Sequence, residues 1–381
     1  MYRVAISPHW TIEGPDGLGL GTRVVELLMQ IGEHGSLAAA CAASGVSYRH
    51  AWQLLREGEA LFGQPLLVMS RGKGSALTPL GERLVWAQRR IQARLSPVLD
   101  SLASELSAEI RKALSAAPER LRIHASHGFA VQALHEFMER DGLAHELKYC
   151  GSAEALASLG SGACDVAGFH VPMGEFEAEA VAHYRPWIDP TRHRVIRLAT
   201  RRQGLMVARG NPKKIYDVAD LARPEVRFIN RQPGAGTRYL LDLMLRQRGI
   251  DPARIRGYEQ CEFTHAAVAA FVASGMADAG LGVEVPAREF KLEFIACHQE
   301  RYILLCNTAA LDTPDVQRML ETLRSTAYHA AVDGLPGYAS DDTGAVCPPD
   351  ALMPDLAARA APPGAGDAGA AAPRTTARRR R

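Results

Sequence analysis

"HGSLAAACAASGVSYRHAWQLLRE", residues 34–57, holds the pattern that decides the N-terminal fold. It reads as two short helices joined at "SGVS". Ser36 caps the first, Gly45 stops it, and Ser47 caps the second. Ala38, Ala39, Ala40, Ala42 and Ala43 offer a small face where two helices can cross. Val46 is apolar in the turn and is expected to plug that crossing. Trp52 and Leu55 fall on the core side of the second helix. Ser47, Tyr48, Arg49, His50 and Gln53 fall on the outward side, where a recognition helix meets base edges in the DNA major groove. Arg matches guanine and Gln matches adenine in bidentate hydrogen bonding.

The flanks extend the unit. "TRVVELLMQIGEHG" carries a helical apolar stripe that ends at Gly32 and Gly35. "PLLVMSRGKGSALTPLGERL" reads as strand, Gly-rich turn, strand and helix start, with Thr78 as cap and Pro79 at the first helical position. The turn, residues 70–75, would be a wing whose Arg71 and Lys73 reach phosphates. A long helical pattern follows from residue 81, and Pro97 predicts a break or kink in it. An Ala-rich hairpin without a ligand is the competing reading of residues 34–57. The order of turn, cationic helix and wing favours the DNA reader.

From residue 117 strands alternate with helices, which predicts an α/β domain with a mostly parallel sheet. "FINRQPGAGTRYLLD", residues 228–242, sets a Gly-rich turn between a strand and a helix. A helix N-terminus with free N–H groups attracts anions. Gly234 and Gly236 allow close backbone approach, Thr237 adds a hydroxyl, and Arg231 and Arg238 add charge. It is neither a Walker loop nor a dinucleotide fingerprint. Ser126, His127, Ser152, His170, Thr264 and His265 also stand where strands hand over to helices, so they are expected to line one crevice. Singly, Ser126, Ser152 and Thr264 read equally as helix caps, and the histidines as satisfied core or surface residues. Glu284 is the one acidic residue assigned to the crevice. No nucleophile elbow, metal motif or paired carboxylates stand there, so neither catalytic nor metal-binding residues are assigned, and the chain is not expected to be an enzyme.

The chain has 381 residues and a formal net charge of +2, so a DNA contact must come from a local patch. Seven cysteines in no CxxC pairing fit a reducing cytoplasm. No apolar run reaches the roughly 20 residues of a membrane span. The N-terminus lacks a long apolar core like that of a secretion signal. Together these predict a cytoplasmic protein without a membrane partner. Residues 346–381, rich in Ala, Pro, Gly and Arg, read as a disordered tail whose terminal arginines can add sequence-blind DNA contact.

"GSLAAACAASGVSYRHAWQLLREGEALFGQPLL" with "GKGSALTPLGERL" resembles the DNA-binding domain of ModE-type molybdate-responsive regulators and, more distantly, LysR-type winged helices. Gly35, Ser36, Gly45, Val46, Ser47, Tyr48, Arg49, Ala51, Trp52, Gly72, Gly74, Leu77 and Thr78 carry the likeness. "RGKGSA" is shorter than the wing common in that family. The resemblance implies a homodimer or higher homo-oligomer packed through the N-terminal and long helices. "INRQPGAGTRYLLD", "HAAVAAFVASGMADAGLGVE" and "SHGFAVQALHEFM" resemble the type 2 periplasmic-binding-protein-like domains fused to such heads. That likeness implies two lobes closing on a small ligand.

The expected organisation is therefore multidomain. A mainly α winged helix-turn-helix occupies residues 1–95 and a linker and dimerisation helix 96–119. A two-lobed α/β ligand domain spans 120–345, and the tail 346–381. The partners implied are double-stranded DNA and a small anionic ligand. Molybdate, tungstate, a molybdenum-cofactor-related compound and an organic anion all fit as effector, and no cofactor is expected. The alternative is a small-molecule-binding protein or enzyme whose winged helix serves only dimerisation.

Overall fold

The structure is a computed structural model and describes residues 4–15, 17, 19–70, 74–114 and 120–352. Arg71, Lys73 and the basic tail after residue 352 lie outside the described residues. The chain opens with a two-stranded antiparallel hairpin, β1 (Thr11–Glu13) and β2 (Gly19–Gly21). Three helices follow: α1 (Thr22–His34), α2 (Leu37–Ser44) and α3 (Tyr48–Phe62). The caps fall where the sequence puts them. Ser36 Oγ accepts from Ala39 N, Ser47 Oγ accepts from His50 N, and Gly45 takes φ +67° after α2. The helices close over Val24, Val25, Leu28, Ile31, Leu37, Ala40, Ala51 and Leu55, with Val46 and Trp52 packed against that core. The expected small face is narrower than the run of alanines. Ala40 is buried, whereas Ala38, Ala39, Ala42 and Ala43 are exposed, because one helical turn exposes whatever does not face α1 and α3.

The hairpin of β3 (Leu67–Ser70) and β4 (Gly74–Leu77) forms the wing. It is pinned to the corner between α1 and α2: Ser75 N donates to Gly35 O (3.0 Å) and Leu37 N to Ser75 Oγ (3.3 Å). Gly74 stands at φ +85°, and a Cβ there would lie 2.3 Å from Gly35 O. Only glycine allows that approach.

Helix α4 (Pro79–Leu114) is a single helix of 36 residues, begun at Thr78, whose Oγ1 accepts from Gly81 N. The expected break at Pro97 does not occur, and the helix runs straight through the anticipated boundary at residues 95 and 96. A proline at position 97 has no N–H to give the carbonyl of Ala93. That carbonyl accepts instead from Thr264 Oγ1 at 2.7 Å, across the chain. The lost intrahelical bond is replaced by a tertiary one.

The rest is one mixed sheet clothed by helices. In chain order come β5 (Leu121–Ala125), α5 (Phe129–Arg140), β6 (His145–Tyr149), α6 (Ser152–Gly160), β7 (Val166–Pro172) and α7 (Glu177–Tyr184). Next are β8 (His193–Val207), β9 (Phe228–Arg231), α8 (Gly236–Gln247), β10 (Cys261–Glu262), α9 (His265–Ala273), β11 (Ala279–Val283) and α10 (Glu284–Glu289). Then follow β12 (Glu293–Asn307), α11 (Pro314–Arg324), α12 (Thr326–Asp333), β13 (Tyr338–Ala339) and β14 (Val346–Cys347). Helix α11 is followed by helix α12 and two short strands on β8, the last beyond residue 345.

The strand order is β10-β9-β11-β8-β12-β7-β5-β6. Strands β5, β6 and β7 are mutually parallel and form one lobe. Strands β9, β10 and β11 are parallel and form the other. Between them β8 and β12, 15 residues each, run antiparallel across both lobes, with register shifts between Ala296 and His298 and between Tyr302 and Ile303. Each lobe buries its own apolar layers on both faces of its half of the sheet.

Helix α4 touches both lobes. Ser101 Oγ and Ser104 Oγ accept from Tyr149 N (3.0 Å) and Leu147 N (2.9 Å), the outward amides of edge strand β6. On the other lobe, Arg94 grips the buried Glu262 through Nε (2.7 Å) and Nη2, and Trp86 stacks on Phe290. Thr264→Val should therefore cost about 1–3 kcal/mol in urea unfolding, the penalty of a buried carbonyl left bare. The loss should shrink in a Pro97→Ala background, whose restored amide serves Ala93. Equal losses in both backgrounds would rule out that carbonyl as the reason.

Candidate functional site

Two surfaces carry the candidate residues. On α3, Ser47, Tyr48, Arg49, His50 and Gln53 are all exposed, and Tyr48 sets its ring edge against Trp52. The Ser47 hydroxyl is engaged as a cap, and Gln53 Nε2 donates to Glu57 Oε1 at 3.0 Å, one turn on. Arg49 stands at the surface on the first turn. The Arg71 and Lys73 of the wing tip lie outside the described residues.

The second surface is the crevice between the lobes. Helices α5, α6 and α8 all start there, and none has a side-chain cap at its first residue. Their N-termini converge. A Cβ on Gly151, before α6, would lie 3.8 Å from Gly234 O, before α8, and one on Gly236 would lie 4.0 Å from His170 Cβ. Gly234 takes φ +81°, as its turn requires. The free amides of three helix ends thus face a common space.

Side chains from the long crossing strands form the floor. Arg201 on β8 stands in register with Glu300 on β12, and its Nε and Nη2 each donate to Glu300 Oε2 at 2.9 Å. The remaining amino group of Arg201, Nη1, and the Tyr338 hydroxyl are both buried without a hydrogen-bond partner among the described residues. Gln203 Nε2 donates to the same carboxylate oxygen and to Thr237 Oγ1, both at 2.9 Å. Tyr302 stacks on His170 with ring centres 4.0 Å apart and donates to Ser126 O at 2.5 Å. Ser126 Oγ pairs with His170 Nδ1 at 2.9 Å. Ser152, first in α6, is buried beside the Tyr184 phenol.

Arg231 completes the set. It is buried, and its donors go to Phe263 O (2.9 Å) and Gln232 Oε1 (3.2 Å), with no carboxylate paired to it among the described residues. Burial and then the nearby Arg201 pull its guanidinium down to about 9, which leaves it charged at neutral pH. The histidines answer the same field. Burial first, and then the two arginines, hold His127 at about 3, and push His170 and His265 well below the usual histidine range. All three imidazoles are neutral at pH 7. Among the described residues, the floor therefore sets the guanidinium cations of Arg201 and Arg231 against the single carboxylate of Glu300.

Three assigned residues have other employment. Thr264 caps α9 through Ala267 N (2.8 Å) and donates to Ala93 O, so its hydroxyl is spent. Arg238 lies over Tyr258, 4.5 Å from the ring centre, and donates to Glu259 at 3.2 Å. Glu284 is clasped by Arg202 (2.7 Å) and Arg288 (2.7 Å), next to Gly337 on the other face of β8. Position 202 turns away from the crevice because neighbours along a strand point to opposite faces. Sequence reasoning missed Arg201, Gln203, Glu300 and Tyr302. The run "RRQ", three consecutive polar residues in the middle of strand β8, was the available signal for Arg201 and Gln203. Among the described residues no group of three His, Cys, Asp or Glu could hold a metal ion, and His127, His170 and His265 form no such cluster. No helix among those residues is long and apolar enough to cross a membrane.

Comparison with known proteins fits this geometry. Residues 22–82 match the bacterial regulatory helix-turn-helix protein profile of the lysR family. Residues 134–324, just over half of the chain, match the PBP superfamily domain. The two matches define the architecture, a lysR-family helix-turn-helix match followed by a PBP superfamily domain. The chain belongs to the PBP superfamily. It is similar to the uncharacterized protein YvgK of Bacillus subtilis, 34% identical over 207 residues, which are 52% of this chain and 64% of that protein. An uncharacterized Clostridium pasteurianum protein from the 5' region of a 2Fe-2S ferredoxin gene is 35% identical over 108 residues, 28% of this chain and 96% of its own. The molybdenum-pterin-binding protein MopB of Rhodobacter capsulatus is 34% identical over 123 residues, 30% of this chain and 44% of MopB. The chain thus spans less than two thirds of YvgK and of MopB. Among solved structures, an H2O2-bound cysteine-to-serine mutant of Corynebacterium glutamicum OxyR aligns at TM-score 0.41 and 16% identity, over 82% of this chain and 93% of that one. LysG of the same organism aligns at 0.39 and 19%, over 82% and 99%.

His127 gives the site a pH signature. Its folded-state pKa lies below its unfolded value, so protons bind the unfolded chain more tightly. The stability tied to its neutral form is whole above about pH 6.5 and is lost as pH falls toward 3. The drop in urea-unfolding free energy between pH 7 and 4.5 should be smaller in His127→Gln than in the parent. An identical drop would show that this imidazole is not held neutral by the fold.

Proposed function

We infer that the protein is a DNA-binding transcriptional regulator whose crevice binds a small anionic effector. The observation that carries this reading is the unmatched positive charge of Arg231 beneath three uncapped helix starts. A buried cation without a counter-ion is costly, and an anion from solution relieves it. Arg231, Thr237, Ser126, His127, His170, Ser152, His265, Gly234 and Gly236 are the assigned residues that remain on the crevice, and Arg201 and Gln203 join them. On the DNA side, Ser47, Tyr48, Arg49, His50 and Gln53 present the reading face, with Arg71 and Lys73 assigned to phosphates. Molybdate, tungstate and a molybdenum-cofactor-related compound are effectors that this charge suits. The ModE-type resemblance of the head and the likeness to MopB favour that chemistry.

The protein acts in the cytoplasm, where its operator is. It acts as a dimer or higher oligomer of identical chains. Leu95, Val98, Leu102 and Leu106 form an exposed apolar row along α4, spaced to lie on one helical face and suited to a second α4. Effector binding shifts the balance between open and closed lobes only as far as its affinity differs between them. Helix α4, held by Arg94 and the Ala93 carbonyl on one lobe and by Ser101 and Ser104 on the other, carries that shift toward α3.

Gel-shift titration against the DNA upstream of the chain's own gene tests the DNA reading. Arg49→Ala should weaken binding by about 1–3 kcal/mol if the guanidinium reads a base edge. Arg231→Gln should leave DNA affinity in place and abolish its dependence on small-molecule extracts of the native cell. A parent protein that ignores both DNA and extract would end the proposal.

A further inference from the structure

The floor of the crevice holds acceptors as well as cations. Glu300 is buried, and its Oε2 collects the bonds from Arg201 and Gln203, while Oε1 receives none among the described residues. Gln203 is fully buried too. Its amide nitrogen is committed to Glu300 and Thr237, so its oxygen points the other way, and that oxygen has no donor among the described residues. A carboxylate oxygen and an amide oxygen are acceptors only. Two buried acceptors left bare cost the fold free energy, and donors on a bound molecule would relieve it.

Those acceptors restrict what can sit above them. At neutral pH a bare tetrahedral oxyanion brings oxygen lone pairs and no protons. It would satisfy Arg231 and the helix amides and would repel Glu300. A planar ring with an amidine edge, N–H beside NH2, presents two parallel donors to two acceptors. A phosphate or carboxylate on the same molecule would meet Arg231 and the helix starts. His170 Nε2, also buried and without a partner among the described residues, adds one further polar contact.

We propose that the effector is an organic anion bearing a planar edge of N–H donors, of the pterin or purine class, and that Glu300 and Gln203 receive this edge. The proposal rests on the reading of the crevice as an effector site and narrows it. A bare oxyanion is not the preferred ligand. Glu300 is the residue that discriminates, because it admits donors and turns away acceptors.

The test is isothermal titration of the full chain with two probes, sodium molybdate and pterin-6-carboxylate, on the parent and on Glu300→Gln. The parent should bind pterin-6-carboxylate at least about tenfold more tightly than molybdate, since a site built around hydrogen bonds discriminates strongly against a ligand lacking the partner groups. In Glu300→Gln, Arg201 and Gln203 keep the amide oxygen, and the new NH2 turns to the ligand. The variant should lose at least about tenfold in pterin-6-carboxylate affinity and hold molybdate as well as the parent or better. Thermal unfolding confirms that the variant is folded. Should it not fold, the preference of the parent between the two probes decides. A parent that prefers molybdate, or a folded variant that weakens both probes alike, overturns the donor-edge proposal and leaves the anion crevice standing. A parent that binds neither probe removes the effector reading of the crevice as well.

Discussion

Pro97 takes a hydrogen bond out of the middle of α4, and a threonine some 170 residues later in the chain puts one back. The arrangement of the molecule follows from that exchange. A helix of 36 residues could break at a proline, and this one continues through it, with the freed carbonyl anchored on the far lobe. Next to it Arg94 holds Glu262. Two turns further on, Ser101 begins the contacts to the near lobe. The long helix is therefore less a linker than a shared wall, fixed to both halves of the clamshell on either side of its proline.

The electrostatics of the crevice follow from the two crossing strands. Strands β8 and β12 place Arg201 opposite Glu300 at the point where the lobes meet, and the polar groups on each lobe's loops turn toward that point. Enclosure then acts on the three histidines and on Arg231. It strips the histidines of their protons, lowers Arg231 and leaves that guanidinium without a counter-charge of its own. None of the individual residues is unusual. Their enclosure together is what leaves the crevice with a net positive charge and neutral imidazoles.

Much of the head was legible in the residues because its signals are local. A serine three residues before the amide it caps, and a glycine at a helix end, need no knowledge of the rest of the chain. The loops at the strand ends were legible for a similar reason, and Ser126, His170 and Thr237 do meet in the crevice. Arg201 and Glu300 were not, since they stand 99 positions apart and in the middle of strands. Thr264, Arg238 and Glu284 were placed on the crevice because sequence shows that a polar residue ends a strand or opens a helix, not which way it turns. The sequence predicts a break or kink at Pro97 because the partner that takes up the Ala93 carbonyl, Thr264, lies beyond any local window.

The serines of α4 have a consequence for how the protein can be taken apart. Strand β6 is the last of its sheet, with its outward amides met by Ser101 and Ser104 rather than by another strand. A fragment starting after residue 120 would strip that cover from Leu147 and Tyr149 and would leave the buried Glu262 carboxylate without Arg94. The bared margin would be free to recruit strands from neighbouring molecules. The helix that joins the halves also covers the open margin of the larger one, so removing it would expose a strand edge that the full chain keeps paired.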